Sequence, residues 1–519
     1  MKVLLFAPPY PLEEFPSPPL GLCYAAAAFE AAGCEVRIID YIVQRCSPEK
    51  IKRELDFFQP DIVGTNSVTM NYYAAVSILR TAKQHAPSII TMMGGPHVSF
   101  DYGDTLKNYP EIDIIVIGEG EQTIKEIVPV IHNPKSWVSV NGIAFIHEGQ
   151  VEKTPERDFI RDLDLISNPP RHLLPLSKYL ALGFPASIIT SRGCPNRCIF
   201  CVGRRMVGSK FRFRSIPSII DEIREIIEYG FEQINIADDF FTLNKKRVKE
   251  ICREIKDRGL KFGWSVFARA DSVDEETLVA MREAGCHTLL FGIESGNQDM
   301  LDRINKHIKV DQIKKAVSLC KQTGLKVLGS FIVGLPGETR ESLMDSHRLI
   351  EELDVLSGYH FLAPFPGTII KEQIDEYDLE LLTSDWSKYD ANQAIVRTSS
   401  LSAEDITWFV EQYYTLKVQA DDDDLYRRFE AGQCSETDTL KVMGNRKMDV
   451  VYNLLSQDII ESLETFPRSN GQEISQLSDR ISCLINRKPE IVTPAVLYMV
   501  NRGYLKKQGE KDRIRWRWA

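Results

Sequence analysis

"SIITSRGCPNRCIFC", residues 187–201, joins a short apolar run to a loop that holds Cys194, Cys198 and Cys201. The gaps between the three are three and two residues, and the next cysteine along the chain is Cys252. A structural zinc site takes four ligands, usually as two short-spaced pairs, and there is no second pair. A redox Cys-x-x-Cys needs two thiols and leaves the third without a purpose. Iron–sulfur clusters normally take one thiolate per iron. Three thiolates would hold three irons of a [4Fe–4S] cube and leave the fourth iron open. An open iron can chelate a small molecule and pass it an electron. Three incidental loop cysteines are the bland alternative.

Outward from the loop, the run before it begins a series of alternating strand-like and helix-like segments. It passes through QINIADD, KFGWSVFARAD, HTLLFGIES and KVLGSFIVGLPGE to LSGYHFLAPFPGT. Gly230, Gly259, Gly285 and Gly324 each stand where an intervening helix should stop. Six such units predict a partial (β/α)6 barrel over 185–400, with functional residues in the loops at the C-terminal strand ends. Residues 1–139 carry an earlier alternation: MKVLLFAP, CEVRIIDY, DIVGTNSV, SIITMMGG and DIIVIGEG with helical segments between them. These continuous apolar strands suit a sheet covered on both faces. Five units predict an α/β doubly wound sheet of flavodoxin-like type, and no GxGxxG follows the first strand. Residues 140–184 read as a hairpin and linker. From 401 to 519 the pattern turns helical, with Asp421–Asp424 read as a solvated loop. The chain ends helix, helix, β-hairpin, an order that resembles a winged helix.

A length of 519 residues predicts two or three domains. Hydrophobic content of 43% and charged content of 26% are those of a globular, soluble chain. The net charge of −10 argues against broad nucleic-acid binding. No apolar run approaches the roughly 20 residues of a membrane span. The start, MKVLLFAPPYP, breaks at proline and reads as a buried strand, not a secretory signal. Eleven cysteines without such a signal suggest reduced thiols and a cytoplasmic protein. Cys23, Cys34, Cys46, Cys252, Cys286, Cys320, Cys434 and Cys483 have no ligand spacing and are expected to be buried structural thiols, which leaves one cluster.

Cys-x-x-x-Cys-x-x-Cys after the first strand of a six-unit α/β barrel resembles the radical S-adenosylmethionine (SAM) superfamily. In that family the open iron binds the amino and carboxylate groups of SAM, and electron transfer cleaves SAM to methionine and a 5′-deoxyadenosyl radical. The resemblance covers about residues 185–400 and implies site residues. Phe200 matches the aromatic position near adenine. Asp238 and Asp239 end the second strand where the family has a SAM-contacting motif. Arg269, in FARAD, would clamp the SAM carboxylate, with a salt bridge as the alternative. Glu294, in FGIESG, would accept hydrogen bonds from ribose hydroxyls with Ser295 assisting. Gly334, in FIVGLPGET, would let the backbone approach adenine. Glu338 is offset by one from the pattern and is given no role. PFPGT resembles a substrate-side loop.

A flavodoxin-like domain before such a barrel resembles the cobalamin-binding subclass of the superfamily. The matching positions are Ser67 and Thr69 after strand three, Gly94, Gly95 and His97 after strand four, and Gly118, Glu119 and Gly120 after strand five. Glycines there would admit a flat corrin, and hydroxyls would bond its nucleotide tail. His97 also has a plain reading as a helix cap. The loop after strand one, APPYPLEEF, lacks the Asp-x-His-x-x-Gly that supplies a lower axial histidine. Members of the subclass commonly lack it too. The resemblance implies a [4Fe–4S] cluster, SAM and cobalamin, a small-molecule substrate, and a reductant such as flavodoxin or ferredoxin. It implies methylation of an unactivated carbon. A non-methylating relative, such as the anaerobic oxidative cyclase of bacteriochlorophyll synthesis, is the second reading. A cobalamin sensor that binds DNA through the tail is the third, and the cluster motif would be idle in it.

Overall fold

The computed structural model describes residues 1–519 except 469–470 and 510–512. The first sheet holds β1 (Lys2–Ala7), β2 (Glu35–Asp40), β3 (Ile62–Asn66), β4 (Ile90–Gly94) and β5 (Ile114–Val116), all parallel, in the order 2-1-3-4-5. Helices α1 (Leu20–Ala31), α2 (Pro48–Phe58), α3 (Tyr72–His85), α4 (Pro96–Asn108) and α5 (Gly120–Ile127) connect them. Two apolar clusters flank the sheet, one with Leu5, Phe29 and Ile124 and the other with Phe6, Tyr72 and Val98. That is why its strands read as unbroken apolar runs. The hairpin set apart with the linker belongs to this sheet: β6 (Ile143–His147) pairs antiparallel with β5, and β7 (Gln150–Lys153) with β6. Ile143, Ala144 and Phe145 are buried there, so the strand finds more apolar cover on the sheet than as a free linker.

After α6 (Leu176–Leu182) the second sheet begins with β8 (Ala186–Ile188). The cysteine loop that follows is closed at its base by β9 (Ser191–Arg192) and β10 (Arg212–Phe213), an antiparallel pair, and contains α7 (Gly203–Val207). Then come α8 (Ile216–Glu228), β11 (Gln233–Ile236), α9 (Lys245–Asp257), β12 (Gly263–Ala268) and α10 (Glu275–Glu283). β13 (Cys286–Glu294), α11 (Gln298–Arg303), α12 (Val310–Gln322), β14 (Lys326–Val333), α13 (Arg340–Leu353) and β15 (Leu356–Phe361) complete it. The six strands β8, β11, β12, β13, β14 and β15 are parallel neighbours in chain order, a partial barrel. A buried ionic triad locks its first edge. Glu222 of α8 accepts from Arg171 at 2.6 Å and from Arg214, and Arg171 also donates to the Ser187 carbonyl at 2.8 Å.

The C-terminal region is helical. The acidic run expected as a loop lies inside the helix Leu416–Glu430, where Asp424 pairs with Arg427 and Arg428 one turn on. Such i,i+3 and i,i+4 pairs let a charged run stay helical. The end packs helices Glu473–Ile485 and Pro489–Asn501 with strands ordered Phe466–Pro467, Arg513–Trp518, Leu505–Gln508, which is the helix–helix–hairpin order of the sequence reading. Residues 510–512, between the last two strands in sequence, lie outside the described residues. Of the eight remaining cysteines, Cys23, Cys34, Cys252, Cys286 and Cys320 are buried as expected. Cys46 and Cys434 are half-buried and Cys483 is exposed, because it lies on the outer face of a surface helix. Among the described residues, no helix is long and apolar enough to cross a membrane.

Candidate functional site

The C-terminal ends of the two sheets face one another. Gly193 turns the chain from β9 into the cysteine loop at φ +117°, and a Cβ on it would lie 2.3 Å from the Lys210 carbonyl oxygen. Only glycine lets the two arms of the loop approach so closely. Beyond it the Cys194 N–H donates to the Gly208 carbonyl at 3.0 Å. All three cysteines are free thiols. The Gly203 N–H donates to Cys201 Sγ at 3.3 Å and Asn196 Nδ2 to Cys194 Sγ at 3.5 Å. Cys201 has solvent-accessible surface, yet its thiol is pushed up to about 11. Desolvation by the surrounding protein raises it most, the neighbouring Cys198, Cys194 and Asp239 raise it further, and the Gly203 N–H opposes them. Among the described residues no three His, Cys, Asp or Glu converge on a single metal ion. In an iron–sulfur cube the thiolates serve separate irons and need not converge on one ion.

The residues expected around SAM divide into two kinds. Asp238 is 3% exposed and is committed to the protein: Oδ1 accepts the Thr190 N–H, and Oδ2 the Thr190 and Ser191 hydroxyls, all at 2.6 Å. It positions the start of the cysteine loop instead of contacting a ligand. Asp239 is the aspartate that faces the cleft, close to Cys201 and Gly203, and burial raises its carboxyl above the ordinary range. Ser295 turns away as well. Its hydroxyl lies 3.3 Å from that of Ser346 on α13 and accepts the Asn297 N–H at 3.1 Å. Arg269 forms a two-pronged salt bridge with Asp271 at 2.9 and 3.0 Å and donates to the Lys306 carbonyl at 2.9 Å.

Glu294 ends β13 at φ +68°, beside a register shift opposite β14. A left-handed conformation is uncommon for a residue with a side chain, and with a β-bulge it re-aims that side chain. A strand end with an unpaired buried carboxylate would be costly. Lys306, which the sequence reading did not single out, supplies the pairing: its Nζ donates to Glu294 Oε1 at 2.5 Å, both side chains being 8% exposed. Glu294 Oε2 has no hydrogen bond among the described residues. Lys306 also lies 5.8 Å from the centroid of the half-buried Phe200 ring. Gly292 makes room for this pair, since a Cβ there would lie 2.5 Å from Glu294 Oε1. Gly334 has φ +87°, and its N–H donates to Glu338 Oε2 at 2.6 Å. Glu338, given no role from sequence, thus holds the glycine loop from beneath. It is fully buried, Oε1 is unpartnered, and burial raises its carboxyl to about 8.

At the strand ends of the first sheet lies a cavity of about 290 Å³. Gly94, Gly95, Gly118, Glu119 and Gly120 line it, as do Asn66, Leu5 and Phe29 deeper in, and Ile189, Arg192, Met206 and Asp239 of the barrel close its far side. Three expected cobalamin contacts lie elsewhere. The Ser67 hydroxyl faces Met93 Sδ, and the Thr69 hydroxyl bonds His97 Nδ1 at 3.1 Å. His97 is 1% exposed, packs on Tyr72 and Trp386, and burial lowers it to about 4, so it is a neutral core histidine. The glycine at 95 answers to the protein too, because a Cβ there would lie 2.5 Å from the Ser67 carbonyl. Glu119 bridges the domains: it accepts from Arg192 at 3.0 Å and Arg212 at 2.8 Å, the two arginines at the base of the cysteine loop. These partners hold its carboxyl below the usual range against burial. Asn66 ends β3 at the switch point between β1 and β3, and its Oδ1 is buried without a partner. An orphaned carboxamide in a glycine-lined hollow fits a large ligand bearing amide groups.

Family comparison follows this geometry closely. A B12-binding domain model matches residues 14–128 and a radical SAM superfamily model residues 188–350. An uncharacterised methyltransferase of Pyrococcus horikoshii is 36% identical over 422 residues, 80% of this chain and 92% of the relative. The chain belongs to the radical SAM superfamily, in its B12-binding branch. This radical SAM enzyme is also 30% identical, over 74% of its length and 70% of the relative, to the anaerobic magnesium-protoporphyrin IX monomethyl ester cyclase of Rubrivivax gelatinosus. Its fold matches that of the cobalamin-dependent SAM radical enzyme OxsB, solved with aqua-cobalamin and SAM, with a TM-score of 0.69 over 97% of this chain and 79% of OxsB at 19% identity. The radical SAM domain implies a [4Fe–4S] cluster and SAM, and the B12-binding domain implies cobalamin.

Proposed function

We propose that this enzyme transfers a methyl group to an unactivated carbon of a small-molecule substrate. Cys194, Cys198 and Cys201 would hold the cluster, with Asp239, Glu294, Lys306 and the Gly334 loop around SAM. The hollow formed by Asn66, Gly94, Gly95, Gly118 and Gly120 would take cobalamin. When bound, these groups supply a transferable methyl group and a radical that removes a substrate hydrogen atom. The observation that carries the reading is the shared wall: one cavity is lined by first-sheet glycines on one side and by Asp239 and Met206 beside the cysteine loop on the other. The chain's own work is positional. Glu119 with Arg192 and Arg212 fixes the two sides at one distance, Glu338 shapes the glycine loop, and apolar walls keep water from the reacting carbon.

The 36% identity to a protein named as a methyltransferase supports methylation. The 30% identity to the cyclase favours a second reading, hydrogen abstraction without methyl transfer. Reconstituted enzyme given hydroxocobalamin, a strong reductant and methyl-labelled SAM separates them. Methylation predicts label on cobalamin first, then in product. Formation of 5′-deoxyadenosine with cobalamin retained but never labelled would favour the cyclase-like reading.

A further inference from the structure

Between Asp164 and Asp221 the chain contains no Asp or Glu, yet nine Lys or Arg, in a protein of net charge −10. Five of the nine are buried and borrow carboxylates from elsewhere: Arg171 and Arg214 use Glu222, Lys178 uses Glu461, and Arg192 and Arg212 use Glu119. Arg205 pairs with Glu372 at 2.6 Å. Arg197, Arg204 and Lys210 remain, and none pairs with a carboxylate among the described residues. All three lie on the cysteine loop between β9 and β10. Arg197 is exposed between Cys194 and Cys198, and Arg204 Nη1 donates to the carbonyl of Pro195 at 2.5 Å. Lys210 is exposed, with its backbone against Gly193.

Arg197 and Lys210 are exposed and Arg204 is half-buried, so burial does not explain these cations, and a chain of net charge −10 has acids to spare that could have neutralised them. Unpaired charges of one sign around a single point focus a field that speeds the approach of an opposite charge. Resting on the function proposed above, we infer that Arg197, Arg204 and Lys210 form the docking collar for a small acidic electron-carrier protein. The collar sits at the place where an electron must enter. In the step served, the reduced carrier loses one electron and the cluster gains it, with no bond or proton exchanged. Electron-transfer encounters are small and weak, so a few steering charges suffice to set their rate.

The test uses reconstituted enzyme with reduced flavodoxin as the carrier, and scores flavodoxin binding, iron content and dithionite-driven SAM cleavage separately. In the double variant R197E/K210E the flavodoxin concentration giving half-maximal cluster reduction should rise about tenfold. Iron content and dithionite-driven cleavage should stay unchanged. R197Q/K210Q should show a smaller rise, and added salt should reproduce the loss in the unaltered enzyme. Unchanged flavodoxin dependence in both variants would overturn the inference, as would loss of iron or dithionite-driven cleavage in both, which would assign the cations to loop stability. Unaltered enzyme that cleaves SAM with dithionite but never accepts electrons from flavodoxin also overturns it. No cleavage with either donor would instead strike the proposed function.

Discussion

The two strand-end regions that face one another are built on opposite plans. On the barrel side most polar side chains are already bonded to one another: Glu294 Oε1 with Lys306, Arg269 with Asp271, Asp238 with Thr190 and Ser191. On the first-sheet side the wall is mostly glycine and apolar carbon, with an orphaned Asn66 Oδ1. The difference shows two ways of being ready for a cofactor. A polar site orients its side chains by letting them bond one another, and a ligand must fit among bonds already made. A hollow is ready because side chains are missing from it, and its occupant supplies the contacts.

The largest expected effect comes from the polar side. Gly193→Val would drive a branched side chain into the Lys210 carbonyl at a φ that valine does not tolerate. Cluster assembly should be abolished, seen as loss of the brown chromophore and bound iron; full iron content would mean the loop base is not rigid. Next is the tie between the two regions. Glu119→Ala would strand two buried arginines and should cost about 3 kcal/mol of stability in denaturant titration. The low end of the usual range is expected, because Arg192 keeps Glu121 and Arg212 keeps the carbonyls of Ile160 and Val207. Third is the buried carboxyl of Glu338. Its pKa is raised from the ordinary 4.5 to about 8, so the folded state favours the protonated form. That contribution to stability is full below about 4.5 and is lost as pH rises through about 8. Melting temperature should decline across that window, and Glu338→Gln should flatten the decline; an equal slope in the variant would show that other groups cause it. The smallest effect belongs to the hollow. Asn66→Leu should weaken cobalamin retention by about 1 kcal/mol with iron content intact. Equal retention would mean the carboxamide meets solvent instead of cofactor.

Much of this was legible in the sequence. Continuous apolar strands, helix-ending glycines and the spacing of Cys194, Cys198 and Cys201 are local signals, and both sheets follow from them. The hairpin at 143–153 was misplaced because its partner, β5, is chosen by tertiary packing. Lys306 carries no local signal, because it stands twelve positions after Glu294, beyond α11, with no fixed spacing. Ser67, Thr69 and His97 carry the right polar atoms at strand ends, but sequence does not say which side of the sheet a loop turns toward. Glu338 stands one place off the family pattern, so its motif does not reveal that the fold uses it to hold two backbone N–H groups.

If the enzyme works as proposed, the glycine-lined hollow, whose far wall is Ile189, Arg192, Met206 and Asp239, and the cysteine loop serve one shared chamber. Electron paramagnetic resonance of cobalt(II) cobalamin bound to the reconstituted enzyme tests it directly. The account predicts a base-off signal without nitrogen coupling from a histidine, whose relaxation quickens when the cluster is reduced. In a Cys194, Cys198 and Cys201 to Ala triple variant the reductant should leave that signal unchanged. A cobalt signal indifferent to the redox state of an intact cluster would contradict the shared chamber.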